Sequence, residues 1–229
     1  MKILFSYLTQ FCDETSAATL CEKFRAYSDY LIEQNKLFNL TSITDPNEIQ
    51  TKHFIDSLSA LPYCKGHVAD IGSGAGFPGI PLKLLLPENE FTLIDSLQKR
   101  ITFLSEVISR LSLTGIQTVH ARAEDLNKTV LYDTIVSRAV SRLATLCEYC
   151  LPFVKIGGRM IAYKANDCDE EIQEAKKAIS LLGGELEQII SVPLYHTDIV
   201  RKLILIRKIK DSPNSYPRGQ NKPKKQPLC

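Results

Sequence analysis

From His67 onward, short apolar runs alternate with longer stretches whose apolar positions recur every third or fourth residue. The runs in HVADI, EFTLID, IQTVHA, YDTIVSRA and GGRMIAYKA read as buried strands. Between them, Gly79–Leu86 opens a helix, and QKRITFLSEVISRLSL places Ile101, Leu104, Val107, Ile108 and Leu111 at helical spacing. SRLATLCEYCLPFV reads as a further helix. DEEIQEAKKAISLLG is a helix with a charged face that stops at Gly183-Gly184. Such alternation predicts an α/β fold: a mostly parallel sheet with helices on both faces and right-handed crossovers. The last two apolar runs, ELEQIISVPL and VRKLILIRKI, have no helix between them and predict an antiparallel pair at the C-terminal edge.

Before this core the period is helical throughout. Asp13 or Thr15 caps a helix running to about Asn35, with Ala18, Leu20, Phe24, Tyr27, Leu31 and Ile32 on one stripe. NLTSITDPNE is a turn-rich link, and a second helix starts near Asn47, passes His53 and Leu58, and ends by Pro62. The sequence therefore divides into an N-terminal helical extension (1–62), a core (63–210) and a Pro-rich basic tail (211–229), the last expected to be extended or disordered.

Composition changes this picture little. Apolar residues are 44% and charged residues 24%, as in soluble globular proteins. The start, MKILFSYLTQFCDE, lacks an h-region and reads as mature protein; no apolar run approaches the ~20 residues of a membrane span. The seven cysteines follow no framework spacing and suit a reducing, cytoplasmic setting. Cys147 and Cys150 form a lone CxxC, read as two helical core positions, and no metal is expected. Charge adds more. From Arg201 onward nine basic residues face one acid, Asp211, giving +8, against −6 for residues 1–200. A basic end on an acidic body points to a polyanionic partner, a solvated tail being the plainer alternative.

The chemistry concentrates in ADIGSGAGFPGIP, residues 69–81. Ligands of parallel sheets sit at the strands' carboxyl ends, so this Gly-rich turn, Asp95 and Ala123-Glu124 should converge on one crevice. Gly74 to Gly79 has P-loop spacing, but Ile80-Pro81 stands where Lys-Ser/Thr is required, which disfavours NTP cleavage. GxGxxG matches from Gly74, a displaced register; counted from Gly72, the third position is the bulky Phe77. In that register Asp70, Gly72, Gly74 and Gly76 form Asp-x-Gly-x-Gly-x-Gly, which resembles motif I of class I S-adenosylmethionine (SAM) methyltransferases, with their Rossmann-like fold. Glycines there permit close backbone approach, and Asp95 suits the cis-diol of a ribose.

NLTSI, KHFIDSL, DIGSGAGFPGIPL, TLIDSLQKR, FLSEV, ARAED, YDTIVSRAV and GGRMIAYKA follow one another as in the glucose-inhibited division protein B family, which the chain resembles from about Asn39 to YPR…PL at its end. The resemblance implies a small-subunit (16S) rRNA guanine-N7 methyltransferase, acting on the RNA or the small ribosomal subunit in the cytoplasm; a monomer is expected. It further implies that Gly72 and Phe77 line the SAM pocket, that Ala123 and Glu124 flank the adenine, and that Arg138 lies at the pocket facing substrate. Lys164-Ala165 departs from an expected Lys-Gly, while Lys164 is kept.

Neutral guanine N7 attacks without losing a proton, so no obligatory general base is expected, and His53 and Asp56 read as a capping or packing pair sharing a helix face. Arg138 and Lys164 are candidates for positioning substrate. Lys164, Arg201, Arg218, Lys222, Lys224 and Lys225 are candidates for RNA phosphates, and Phe77 and Tyr163 for packing on the base. Three alternatives stay open: a class I methyltransferase with a protein or small-molecule substrate, a SAM-sensing RNA-binding assembly factor, and a nucleotide-dependent oxidoreductase.

Overall fold

A computed structural model describes residues 1–138 and 140–228. Ala139 of the SRAV segment, and Cys229 at the end of the tail, lie outside the described residues. Strands β1 (Val68–Ile71), β2 (Phe91–Asp95), β3 (Ile116–His120), β4 (Tyr132–Arg138), β5 (Val154–Ala165), β6 (Gly184–Pro193) and β7 (Val200–Lys208) form one sheet in the order 3-2-1-4-5-7-6. The first five are parallel; β7 runs antiparallel to both β5 and β6, as the missing crossover helix predicts.

The alternation of strand side chains sets the two layers. Ala69, Ile71, Ile135, Met160, Ala162, Ile204 and Ile206 face α7 (Leu143–Cys150) and α8 (Asp169–Leu181). Cys147 and Cys150 are fully buried in that layer, in keeping with a core reading of the CxxC. On the other face, Val68, Phe91, Val136 and Ile161 pack with Leu82 of α5 (Gly79–Leu85), and Leu93 joins α5 and α6 (Gln98–Arg110).

The N-terminal region completes this second face. A short helix, α1 (Lys2–Leu8), precedes α2 (Glu14–Phe38), whose cap is Asp13, its Oδ1 accepting from Ser16 N at 2.9 Å. Leu4, Leu8, Phe24, Tyr27 and Leu31 share one core with Phe77, Ile80, Leu93 and Leu104, so the extension is built into the layer. Next, α3 (Pro46–Glu48), a π-helical stretch (Ile49–Ile55) and α4 (Asp56–Leu58) form one continuous rod where a single α-helix is expected. The wider π turn carries His53, and such turns recur at functional sites.

The tail is not extended. Residues 211–228 fold back over α7 and end in a one-turn helix, α9 (Lys222–Lys225). The cause is a buried carboxylate: Glu148, on α7 and fully buried, accepts from Arg218 N and Nε at 2.8 Å and from Nη2 at 2.6 Å. Thr145 Oγ1 donates to Pro223 O at 2.9 Å, and Lys128 Nζ to Asn214 O at 2.7 Å. A composition that reads as disordered is held by specific polar partners supplied by the core.

Candidate active site

At the carboxyl edge of β1, β2 and β4 lies a cleft of about 450 Å³. Its floor is the turn after β1. Gly72 and Gly74 take φ of +78° and +59°, a region only glycine enters freely. Gly72 N and Ser73 N donate to Ile94 O at 2.9 and 3.1 Å, locking the turn to β2. A Cβ on Gly74 would have no neighbour closer than 3.9 Å, so this backbone faces open space. Gly79 plays a different part. A Cβ there would come within 2.3 Å of Leu93 Cδ2 and 2.8 Å of Asp70 Oδ2, so the close helix–sheet approach that is absent at Phe77 occurs two residues later.

Asp95 ends β2 on the cleft wall. Its Oδ1 accepts from Leu97 N at 3.0 Å; its Oδ2 accepts from Gly74 N at 2.9 Å and Arg100 Nη1 at 3.2 Å. Of roughly four acceptor positions on a carboxylate, this leaves one on Oδ1 for a ribose hydroxyl, and a second hydroxyl must displace Arg100. Ala123 and Glu124, in a 3₁₀ turn after β3, line the same cleft beside Tyr149 of α7.

The other end is organised by Arg138, the last residue of β4. Nη1 donates to Asp56 Oδ2 at 2.8 Å and Lys52 O at 3.1 Å; Nη2 lies 3.1 Å from His53 Nδ1; the guanidinium sits 5.1 Å from the Phe77 ring centre. Phe77 is sandwiched between His53 (4.3 Å, 16°) and Tyr27 (5.4 Å, 28°), and the Tyr27 hydroxyl donates to Ala75 O. Arginine only donates, so His53 Nδ1 accepts and Nε2 carries the proton, which it donates to Thr41 Oγ1 at 2.8 Å. Thr41 is fixed in turn by Asn35, whose side chain binds its backbone N–H and C=O at 2.8 and 2.9 Å.

Burial, with Arg138 adding to it, pushes the His53 imidazole down to about 3, so it is neutral and no proton shuttle at ordinary pH. Burial raises Asp56, with Arg138 and Arg201 opposing the rise. Its Oδ1 has no hydrogen-bond partner among the described residues, with Arg201 Nε at 3.7 Å. Thus His53 and Asp56 do not bond to each other; both are tied to Arg138.

The cleft gathers Gly72, Gly74, Phe77, Asp95, Ala123, Glu124, Arg138 and Lys224 of the expected residues. Asp70 and Gly76 stand behind it. Strand alternation turns Asp70 into the α5 layer, where Oδ2 accepts from Gly79 N at 2.9 Å and burial pushes its carboxyl up to about 7. Gly76 is constrained twice, by a φ of +94° and by packing: a Cβ there would strike the Tyr27 hydroxyl at 2.5 Å. Several expected RNA contacts are engaged inside the protein. Lys164 Nζ binds Glu171 and Ser141 O, Arg201 lies by Asp56, and Arg218 is held by Glu148. Lys222 and Lys225 are exposed on α9. Tyr163 is buried and its hydroxyl donates to Ser57 O at 2.6 Å, which removes it as a stacking surface. The cleft also includes Thr41, Tyr149 and Asn221, which sequence reasoning did not single out. Thr41 had a signal in NLTSI; Asn221 had none.

These residues fit S-adenosylmethionine: open backbone at Gly74, a spare acceptor on Asp95 and an apolar wall at Phe77. Among the described residues, no helix is long and apolar enough to cross a membrane. A sequence model described as GidB, rRNA small subunit methyltransferase G, matches residues 20–200. Proteins named ribosomal RNA small subunit methyltransferase G are similar along most of the chain. That of Acetivibrio thermocellus is 50% identical, covering 90% of this chain and 88% of its own. That of Clostridium tetani is 42% identical, with 98% of each covered. Among solved structures, M. jannaschii TYW2 in complex with AdoMet aligns with a TM-score of 0.55 at 16% identity, over 68% of this chain and 76% of its own. Ribosomal protein L11 methylase of Lactobacillus delbrueckii subsp. bulgaricus aligns at 0.54 and 14%, over 73% and 81%. These two likenesses carry the fold alone.

Proposed function

This chain belongs to the GidB family, rRNA small subunit methyltransferase G, and on that premise we propose that it methylates N7 of a guanine in 16S rRNA. It is a SAM-dependent rRNA methyltransferase. The observation that carries the proposal is the family match across residues 20–200 together with a cleft whose loop, Asp95 and Glu124 suit this cofactor. Gly72–Gly74, Asp95 and Ala123-Glu124 would hold S-adenosylmethionine, which would supply an electrophilic methyl on a sulfonium.

The chain's own residues bind and orient. Neutral guanine N7 already holds its lone pair, so no side chain needs to take a proton before attack, and the neutral, fully bonded His53 agrees with that. Arg138 fixes the Phe77–His53 wall and presents a guanidinium to the cleft, where it orients base or cofactor; alignment supplies the catalysis. Lys164, bonded to Ser141 O, sets the segment after β4 and acts by positioning. The target guanine must be unpaired or extruded to enter. Exposed Lys222 and Lys225 provide phosphate contacts, and the enzyme works in the cytoplasm, where ribosomes are made.

The test is methyl transfer from labelled S-adenosylmethionine to small ribosomal subunits and to deproteinised 16S rRNA, with mapping of N7-methylguanine in cells with and without the gene. Label in ribosomal protein, or an unchanged N7 map, refutes the assignment.

A further inference from the structure

The C-terminal segment crosses the cleft as well as α7. Asn221 and Lys224 line it beside Ala123, Glu124 and Tyr149. We propose that Asn221 and Lys224 are cofactor-binding residues: the C-terminal segment is the outer wall of the adenine end, and its docking and SAM binding reinforce each other. The proposal rests on the cofactor reading above.

Two independent sets of contacts support it. The first places the wall. Arg122 Nη1, from the turn that carries Ala123-Glu124, donates to Asn221 Oδ1 at 3.3 Å. That bond assigns the amide: the oxygen end is taken, and the NH₂ end is the donor available to a purine ring nitrogen. Lys224 brings three more N–H donors on a flexible stem, while Glu124 is the acceptor that matches an exocyclic amine. Together they offer both hydrogen-bond senses that an adenine edge presents.

The second set holds the wall in place. Glu148 is fully buried and takes three hydrogen bonds from Arg218; Arg218 Nη2 also donates to Gln226 O at 2.8 Å, closing 218–226 into a compact loop. Lifting the segment leaves a buried carboxylate without its cation, an arrangement that folded proteins avoid. Arg218 is therefore a positioning residue rather than an RNA contact. A ligand that binds the chain better when the segment is docked stabilises docking in the same measure.

The experiment uses the full chain and S-adenosylhomocysteine as probe. Calorimetric titration of the wild type first establishes that the cleft binds it; failure there overturns the cofactor reading itself. Given binding, Asn221→Ala/Lys224→Ala, which keeps the Arg218–Glu148 anchor, is expected to bind at least fivefold more weakly, and deletion of residues 213–229 at least tenfold. Amide hydrogen exchange across 214–226 is expected to slow on adding the ligand to the wild type. Affinity within twofold of wild type in the double variant, or exchange there unaltered by ligand, overturns the proposal even if the deletion misfolds.

Discussion

Replacing Arg138 by methionine isolates what the buried ion pair does for the fold. Methionine preserves much of the stem's packing and removes the charge. Asp56 is then left with Arg201 at 3.7 Å and with an Oδ1 that already lacks a hydrogen bond. Breaking a buried pair by removing one partner costs about 3–5 kcal/mol; Arg201 offsets part of this, so about 3 kcal/mol is expected. For a chain of this size that is roughly 6–12 °C in Tm. The loss should be pH-dependent. Asp56 is already raised by burial in the wild type; without Arg138 it is raised further, the folded variant holds its proton to higher pH, and the variant loses stability relative to the wild type as pH rises. The deficit therefore shrinks from pH 7 towards pH 4. Urea unfolding followed by far-UV circular dichroism measures it, and Asp56→Asn/Arg138→Met provides the control, recovering at least about 1.5 kcal/mol through coupling. A single variant within 1 kcal/mol of wild type, or a double variant no more stable than the single, refutes the reasoning.

Asp95→Asn keeps the shape but weakens the charged acceptor and the Arg100 pair; S-adenosylhomocysteine affinity should drop about tenfold by calorimetry, on the order of 1–1.5 kcal/mol. Asp70 has a folded pKa of about 7, above its unfolded value, so it makes stability decline as pH rises from about 4 to 7. His53, lowered to about 3, acts in the opposite sense below its unfolded pKa, so the informative quantity is Asp70→Asn against wild type at each pH: the variant gains relative stability as pH rises, and a pH-independent difference excludes this account. Thr41→Val strips the acceptor from His53 Nε2–H and Ile43 N–H and should lose about 1–3 kcal/mol in urea unfolding, whereas Thr41→Ser retains most of it.

The sheet was legible because period-2 and period-3.6 patterns are local, and so was the Gly-rich turn, whose positive φ values need glycine wherever they occur. The C-terminal antiparallel pair was legible for an equally local reason: too few residues for a crossover helix. What escaped depends on partners far along the chain. Asp70 reads as a motif residue, and only the pleat of β1 decides that it faces α5 and not the cleft. Arg218 and Lys164 read as free cations because Glu148 and Glu171 are distant or on another element. The tail's Pro-, Lys- and Asn-rich composition describes a chain with no core of its own, and it folds because α7 offers it a buried carboxylate. The π turn has no compositional mark, since only the backbone register over Ile49–Ile55 distinguishes it from the α-helix that the same residues predict.

The Arg138 hub has a meaning in sequence drift. One side chain bonds to the π-helical rod at three points and rests against Phe77, so no single replacement at 53, 56 or 138 is neutral. Position 56 can lose its charge only alongside position 138, and position 53 can change only to a residue that accepts from a guanidinium and donates to Thr41. Descendants of this chain should therefore carry these positions as a block.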